Sequence, residues 1–260
     1  MITSTKNSKI QQIRALQGRT KERQDADAFL LEGVRLVEET QQVHWPLQTV
    51  IYTAGLSERG MRLLHEIQNQ TVDIEEVTPE VMQSACGTET PQGILAVARL
   101  PHPEPPQDLS FIPVLDGIRD PGNVGTLMRA AAAAGARDML LAPGTADPFA
   151  PKVVRSAMGA HFRLNLHPLP WGEIEDLLHT REEGQPQILL ADVRGGVPYW
   201  QADLKRATAL IISNEAEGAS IGAQQLADGL IHIPMPGGFE SLNAASAGSI
   251  LFFEVVRQRQ

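Results

Sequence analysis

The sequence predicts an α/β protein in two parts: a C-terminal, mostly parallel sheet with helices on both faces, preceded by a smaller α/β domain. Three observations carry that expectation. From Phe111 onward, apolar runs of strand length alternate with helical segments, the pattern of a parallel sheet covered on both sides. Ahead of that stretch, Pro101-His102-Pro103-Glu104-Pro105-Pro106 places four prolines in six residues, an extended spacer that cannot join a strand ladder. Length adds the third, since 260 residues at roughly 150 per domain leave room for about two. The expected division is residues 1–100, a linker over 101–108, and a second domain over 109–260.

Taken in order, helical periodicity fits Ile10 to Leu16 and Gly33 to Thr40. A short strand fits Thr49–Thr53, a helix Glu58–Gln68 and a buried strand Ile94–Val97. Beyond the linker, Phe111–Leu115 reads as a buried strand, Val124–Ala134 as a helix and Asp138–Leu141 as a strand. Helices follow at Pro151–Met158 and Trp171–His179, and strands at Ile188–Ala191, Ala209–Ile212 and Leu230–Ile233. A final helix runs from about Ser241 to Arg257, with Gly248 as an interruption.

Composition bounds the function. Hydrophobic residues at 42% and charged residues at 20% suit a globular chain. No apolar run approaches the ~18 residues of a membrane span. The lone cysteine, Cys86, can form no internal disulfide and no thiolate zinc site, which fits a reducing, cytoplasmic setting without a structural metal. Seven histidines lack ligand spacing. The net charge of −9 hides an asymmetry: residues 1–24 carry +5 through Lys6, Lys9, Arg14, Arg19, Lys21 and Arg23 against Glu22, and the remainder carries −14. A basic segment on an acidic body allows local phosphate contact, although a solvated helix face would look the same.

Conventional nucleotide fingerprints are missing: there is no G-x-G-x-x-G after a strand and no G-x-x-x-x-G-K-[ST]. Three other segments stand out, each at the C-terminal end of an expected strand, where open α/β sheets bind ligands. The first is Asp116-Gly117-Ile118-Arg119-Asp120-Pro121-Gly122-Asn123-Val124-Gly125 with Arg129 beyond it. Gly125 and Arg129 share one helix face, and the missing side chain at 125 leaves room beside the guanidinium. A capped helix with a surface arginine would carry the same residues. The second segment is Ser213-Asn214-Glu215-Ala216-Glu217-Gly218, which an ordinary loop could also produce. The third runs from Ile233-Pro234-Met235 through a glycine turn to Ser241-Leu242-Asn243, with Ser241 as the natural N-cap of the last helix.

In this order and spacing the three segments resemble the motifs of the SpoU/TrmH-type RNA ribose 2′-O-methyltransferases of the SPOUT superfamily. Asn123-x-Gly125-x-x-x-Arg129 is similar to the first motif, Asn214-Glu215-x-x-Gly218 to the second, and Ile233-Pro234-Met235 with Ser241-Leu242-Asn243 to the third. Upstream, Ile2-Thr3-Ser4 with Asn7 and Lys9-Ile10, Phe29-Leu30-Leu31-Glu32-Gly33 and Thr90-Pro91-Gln92-Gly93 resemble the family's ribosomal-protein-like substrate-binding domain. Two departures stand out. Ser213 replaces a usual glycine, so a side chain intrudes beside the cofactor, and Ala244-Ala245 replaces bulkier aliphatics.

The resemblance implies S-adenosylmethionine as methyl donor in a deep C-terminal trefoil knot, held by Ala191, Ser213, Asn214, Gly218, Ile233, Met235 and Leu242. It implies Arg129, Asn123, Glu215, Ser241 and Asn243 as the catalytic set. A guanidinium stays protonated, so Arg129 reads better as an anchor for RNA phosphate and developing alkoxide than as a base. The expected RNA contacts are Lys6, Lys9, Arg14 and Arg129, with large-subunit rRNA as substrate and a homodimer as the working form. A tRNA methyltransferase and a catalytically silent RNA-binding protein of the same fold are the alternatives.

Overall fold

The computed structural model describes residues 1–179, 184–193, 195–214 and 216–260. They fall into two compact units, one of residues 1–102 with 149–162 and the other of residues 103–148 with 163–260.

The first unit is built on a four-stranded sheet. Its elements are α1 (Ser8–Gln17), α2 (Thr20–Asp25), β1 (Ala28–Glu32), α3 (Val34–Gln42), β2 (Leu47–Tyr52), α4 (Glu58–Gln68), β3 (Asp73–Glu76), α5 (Pro79–Ala85) and β4 (Ile94–Arg99), in sheet order β1-β4-β2-β3. Only β2 and β3 pair in parallel. Alternation along the strands divides the apolar residues between two cores. Phe29, Leu31, Val50, Ile94 and Ala96 join Leu36, Val37, Leu63 and Leu64 on one side. Leu30, Ile51, Leu95 and Val97 join Ile10, Ile13, Leu16, Val81 and Met82 on the other. Three helices start at side-chain caps, with Asn7, Ser57 and Thr78 accepting from N–H groups of the first turn.

The segment 149–162 belongs to this unit as well. Val154 lies in the same core as Phe29, whose ring meets Phe149 edge-on at 5.1 Å, and Trp45 meets Phe162 at 5.1 Å. Within it lies a short helix, Pro151–Ala157.

The second unit contains β5 (Phe111–Asp116), α6 (Pro121–Ala133), β6 (Asp138–Leu141), β7 (Asn165–Pro168), α8 (Trp171–His179), β8 (Gln187–Ala191), β9 (Val197–Pro198), β10 (Thr208–Ser213), α9 (Ile221–Leu226), β11 (Gly229–His232) and α10 (Ala244–Arg259); α7 is Pro151–Ala157. Its seven strands run in the order β7-β6-β5-β10-β8-β11-β9, and every pairing is parallel. Helices α8 and α9 cover one face through Ile174, Leu178, Ala223 and Leu226, against Ile112, Val114, Ile188, Leu190, Ala209 and Ile211. On the other, α10 packs against α6 and β10, and Phe252 meets Phe111 at 5.7 Å. Burial on both faces is why these strands read as continuous apolar runs.

Two expectations about the last helix need correction. Asn243, not Ser241, is its N-cap, because Asn243 Oδ1 accepts from Ala245 N at 2.9 Å and Ser246 N at 3.2 Å. Gly248 does not interrupt it. The helix is continuous, and a Cβ at 248 would stand 2.3 Å from Leu127 Cδ2, so the missing side chain lets α10 approach α6. Elements that the periodicity does not announce are short or polar. β3 reads Asp-Ile-Glu-Glu and is incompletely buried, while α5 and α9 span seven and six residues.

Candidate active site

In a parallel sheet all strand C-termini share one edge, and diverging loops open a crevice there. Here β5 ends at Asp116, β10 at Ser213, β8 at Ala191 and β11 at His232. Loops beyond three of these ends enclose a cavity of about 310 Å3, at the lower end of the ~300–1,000 Å3 usual for small-molecule sites. All seven residues expected around the methyl donor line it: Ala191, Ser213, Asn214, Gly218, Ile233, Met235 and Leu242. Ile212, Ile231 and Leu251 add apolar lining, and Asp192, Glu217 and Ser241 add polar groups.

Why the loop after β10 holds its shape follows from one carboxylate. Asp116 is 2% exposed. Its Oδ2 accepts from Ser213 Oγ at 2.9 Å and from Ser220 N at 2.8 Å, fastening both ends of the loop. The Ser213 side chain, expected to intrude on a ligand, is thus hydrogen-bonded to Asp116. Asn214 Nδ2 donates to the Gly117 carbonyl at 3.0 Å, and its Oδ1 accepts from Ala216 N at 2.8 Å, closing an Asx turn. Gly218 completes the loop at φ +73°, a backbone conformation that favours glycine. Arg119, in the loop after β5, grips Glu217 with two bonds of 2.6 and 2.8 Å.

The loop after β8 is equally constrained. A Cβ on Gly196 would lie 1.9 Å from the Leu230 carbonyl oxygen, so only glycine lets this segment lie against β11. Nearby, His232 lines the cavity, and its Nδ1 is buried with no hydrogen-bond partner among the described residues. An unsatisfied buried nitrogen is costly, by ~1–3 kcal/mol, which suits a cavity meant to receive polar atoms.

Among the expected catalytic residues, the structure joins two directly. Asn243 Nδ2 donates to Asn123 Oδ1 at 3.0 Å, tying the start of α10 to the first turn of α6. That turn is itself capped by Asp120, whose Oδ1 accepts from Asn123 N at 2.8 Å, with Pro121 at the first helical position. Ser241 is exposed and lines the cavity. Arg129 is exposed on α6, and no described residue hydrogen-bonds or ion-pairs with it. Glu215 lies outside the described residues. Asp116 opens the first of the segments singled out in the sequence but carries no expected role, and His232 carries none either, although each is a polar residue closing an apolar strand, a signal that could have found them.

In the first unit the expected RNA contacts differ among themselves. Lys6 and Arg14 are exposed. Lys9 binds Asp73 at 2.5 Å and Glu75 at 3.5 Å, and the Asp73 hydrogen bond holds its ammonium above the usual lysine range. Arg23 is buried and donates to the carbonyls of Leu16 and Gly18. Cys86 is no reactive nucleophile: burial, and then the charge of Glu32, push its thiol up to about 12.

With this geometry established, the chain can be set beside known proteins. Residues 110–253, more than half of its length, match the SpoU rRNA Methylase family. The chain belongs to that family. Residues 7–96 of this SpoU-family protein match the MRM3-like substrate binding domain. It is similar to the 23S rRNA (uridine(2479)-2′-O)-methyltransferase of Streptomyces viridochromogenes, 33% identical over 270 residues, spanning 98% of this chain and 92% of that protein. It is also 30% identical to the 23S rRNA (guanosine(2553)-2′-O)-methyltransferase RlmP of Bacillus subtilis, over 98% of each. Among solved structures, the SpoU methyltransferase AviRb from S. viridochromogenes in complex with AdoMet superposes with a TM-score of 0.90 at 31% identity, over 98% of both chains.

Proposed function

We propose that this protein methylates a ribose 2′-hydroxyl of large-subunit ribosomal RNA, with S-adenosylmethionine as donor. The observation that carries this reading is the convergence of three separate strand-end loops on one cavity, beside the Asn123–Asn243 bond between α6 and α10. The residues present suit the donor: mostly small and apolar side chains, Asn214 locked into a turn, and a buried His232 nitrogen without a partner among the described residues. When bound, the donor supplies an electrophilic methyl group on a sulfonium. The knot implied by the family belongs to this reading.

The remaining work falls to the chain itself. A ribose hydroxyl becomes nucleophilic as its proton leaves, and negative charge then builds on the oxygen. Arg129 is exposed, charged and without a described partner, so its fork is available to an RNA phosphate and to that charge. Asn123, Asn243 and Ser241 orient the hydroxyl, and Glu215 or an RNA phosphate receives the proton. The first unit selects the RNA through Lys6 and Arg14. A homodimer completes the reading: Ile250 and Phe253, one helical turn apart on α10, are 38% and 50% exposed, an apolar stripe suited to a second copy. Among the described residues no helix is long and apolar enough to cross a membrane.

Mapping ribose methylation across total RNA from cells with and without the protein tests the reading. One rRNA position should lose its mark when the protein is absent, and calorimetry should register S-adenosylmethionine binding. An unchanged map together with no binding would overturn it.

A further inference from the structure

The most exposed large hydrophobic side chain among the described residues is Phe239, at 78%. Its position is specific. Met235 lines the cavity, and its carbonyl accepts from Gly238 N at 3.0 Å, closing a tight turn in which Gly238 takes φ +77°. Phe239 follows that turn, and Ser241 and Leu242 return to the cavity wall. Two residues of chain span at most ~7 Å, so the ring is anchored close to the wall while most of it stands clear of the protein. A side chain with so little burial contributes nothing appreciable to a core. An aromatic ring so placed beside a reaction cavity offers a flat apolar face to a ligand.

The reaction supplies one. The 2′-oxygen is bonded to C2′, and the neighbouring C1′ carries the base, so the base lies within one sugar ring of the reacting atom. An A-form helix displays its 2′-hydroxyls in a shallow minor groove, but a nucleotide whose hydroxyl enters a cavity at a sheet edge leaves its stack, which costs its base stacking. A phenyl face can restore part of that stacking for any base, because every base has a π surface. Resting on the methyltransferase reading above, we propose that Phe239 is the stacking platform for the base of the nucleotide being methylated. It is a positioning residue: it holds the base so that the ribose hydroxyl faces the cavity, and it takes no part in the proton or methyl transfer.

The test uses the full chain, radiolabelled S-adenosylmethionine and unmodified large-subunit rRNA transcribed in vitro. Phe239→Ala should raise KM for RNA by roughly tenfold or more, the size expected for losing one base–aromatic stack. Phe239→Trp should keep wild-type KM, whereas Phe239→Leu, apolar but not aromatic, should resemble the alanine variant. S-adenosylmethionine affinity, sedimentation and thermal midpoint should match wild type in all three. A wild-type KM in Phe239→Ala, or full rescue by leucine, overturns stacking. Loss of donor affinity would make the ring part of the cavity wall, and a shift to a smaller species would make it a contact with a second copy; either result overturns the proposal. If the wild-type protein itself transfers no methyl group to any RNA, the functional reading fails and takes this inference with it.

Discussion

Lys9 and Arg129 read alike on paper, two basic residues on helices beside candidate RNA motifs, yet the two units treat them differently. In the first unit Lys9 is bound to Asp73 and Glu75, and Arg23 is buried against backbone carbonyls. In the second unit Arg129 has no described partner. The same contrast separates Asn243 from Arg129. The asparagine caps α10 and holds Asn123, whereas the arginine is left available. A charge counted in a sequence becomes a charge available to a ligand only if the fold has not already neutralised it.

The sharpest break between the two classes is at Arg129. Arg129→Ala should lower methyl transfer by ~10²–10³, the loss expected when one preorganised donor to a developing charge is removed. S-adenosylmethionine affinity and thermal stability should not move, because no described residue hydrogen-bonds or ion-pairs with that side chain. Arg129→Lys should also lose much of the rate, since lysine keeps the charge but not the planar fork. Full activity in the alanine variant would return Arg129 to the role of a surface residue.

Asn243 should respond in the opposite manner, with stability and activity falling together. Asn243→Ala removes the cap from two N–H groups of α10 and should cost about 1 kcal/mol in a urea titration. It also breaks the bond from Asn243 to Asn123, so turnover should drop with donor affinity less affected. Asn243→Asp separates the two roles: an aspartate can still cap the helix but cannot donate to Asn123 Oδ1. Restored stability without restored turnover is the expected outcome, and restoration of both would leave only the cap.

The smallest effects concern the basic segment. Replacing Lys6 and Arg14 together should flatten the salt dependence of RNA binding by up to about two phosphate contacts' worth of slope. Lys9→Ala should leave that slope nearly unchanged and weaken the fold instead. The sign of the pH effect follows from the raised ammonium pKa. The Asp73 pairing stabilises the native state below the ordinary lysine value of 10.5 and is lost as pH climbs through the higher folded value. The stability gap between Lys9→Ala and wild type should therefore close in strongly alkaline buffer. A salt slope that falls in Lys9→Ala would mean that RNA displaces Asp73.

Much of this was legible in the residues. The second unit's strands announce themselves because both faces are buried, as in Phe111–Asp116 and Thr208–Ser213. The cavity residues were legible through the ordered motifs rather than through periodicity. Long-range partnerships were not. Nothing local shows that Asp116 reaches Ser213 and Ser220 about a hundred residues on, or that Lys9 meets Asp73. Caps were misjudged where two candidates stood two residues apart: Ser241 has the right chemistry, but Asn243 stands immediately before the first helical residue. Gly248 was read as a helix breaker, because propensity registers the missing side chain and not the Leu127 that fills its space.

The insertion of residues 149–162 into the first unit has a consequence for how the molecule comes into being. During synthesis a chain folds from its beginning, domain by domain. Here the first unit is not whole when the ribosome has passed the proline-rich segment. Its core still lacks Val154, and Phe29 and Trp45 still lack their partners Phe149 and Phe162. By the time those residues emerge, β5, α6 and β6 have already been made. The nascent protein therefore carries two unfinished cores at once, one waiting for a short helix and the other for its remaining strands. A fragment ending at Leu100 would keep that apolar surface open, and its solubility should suffer accordingly.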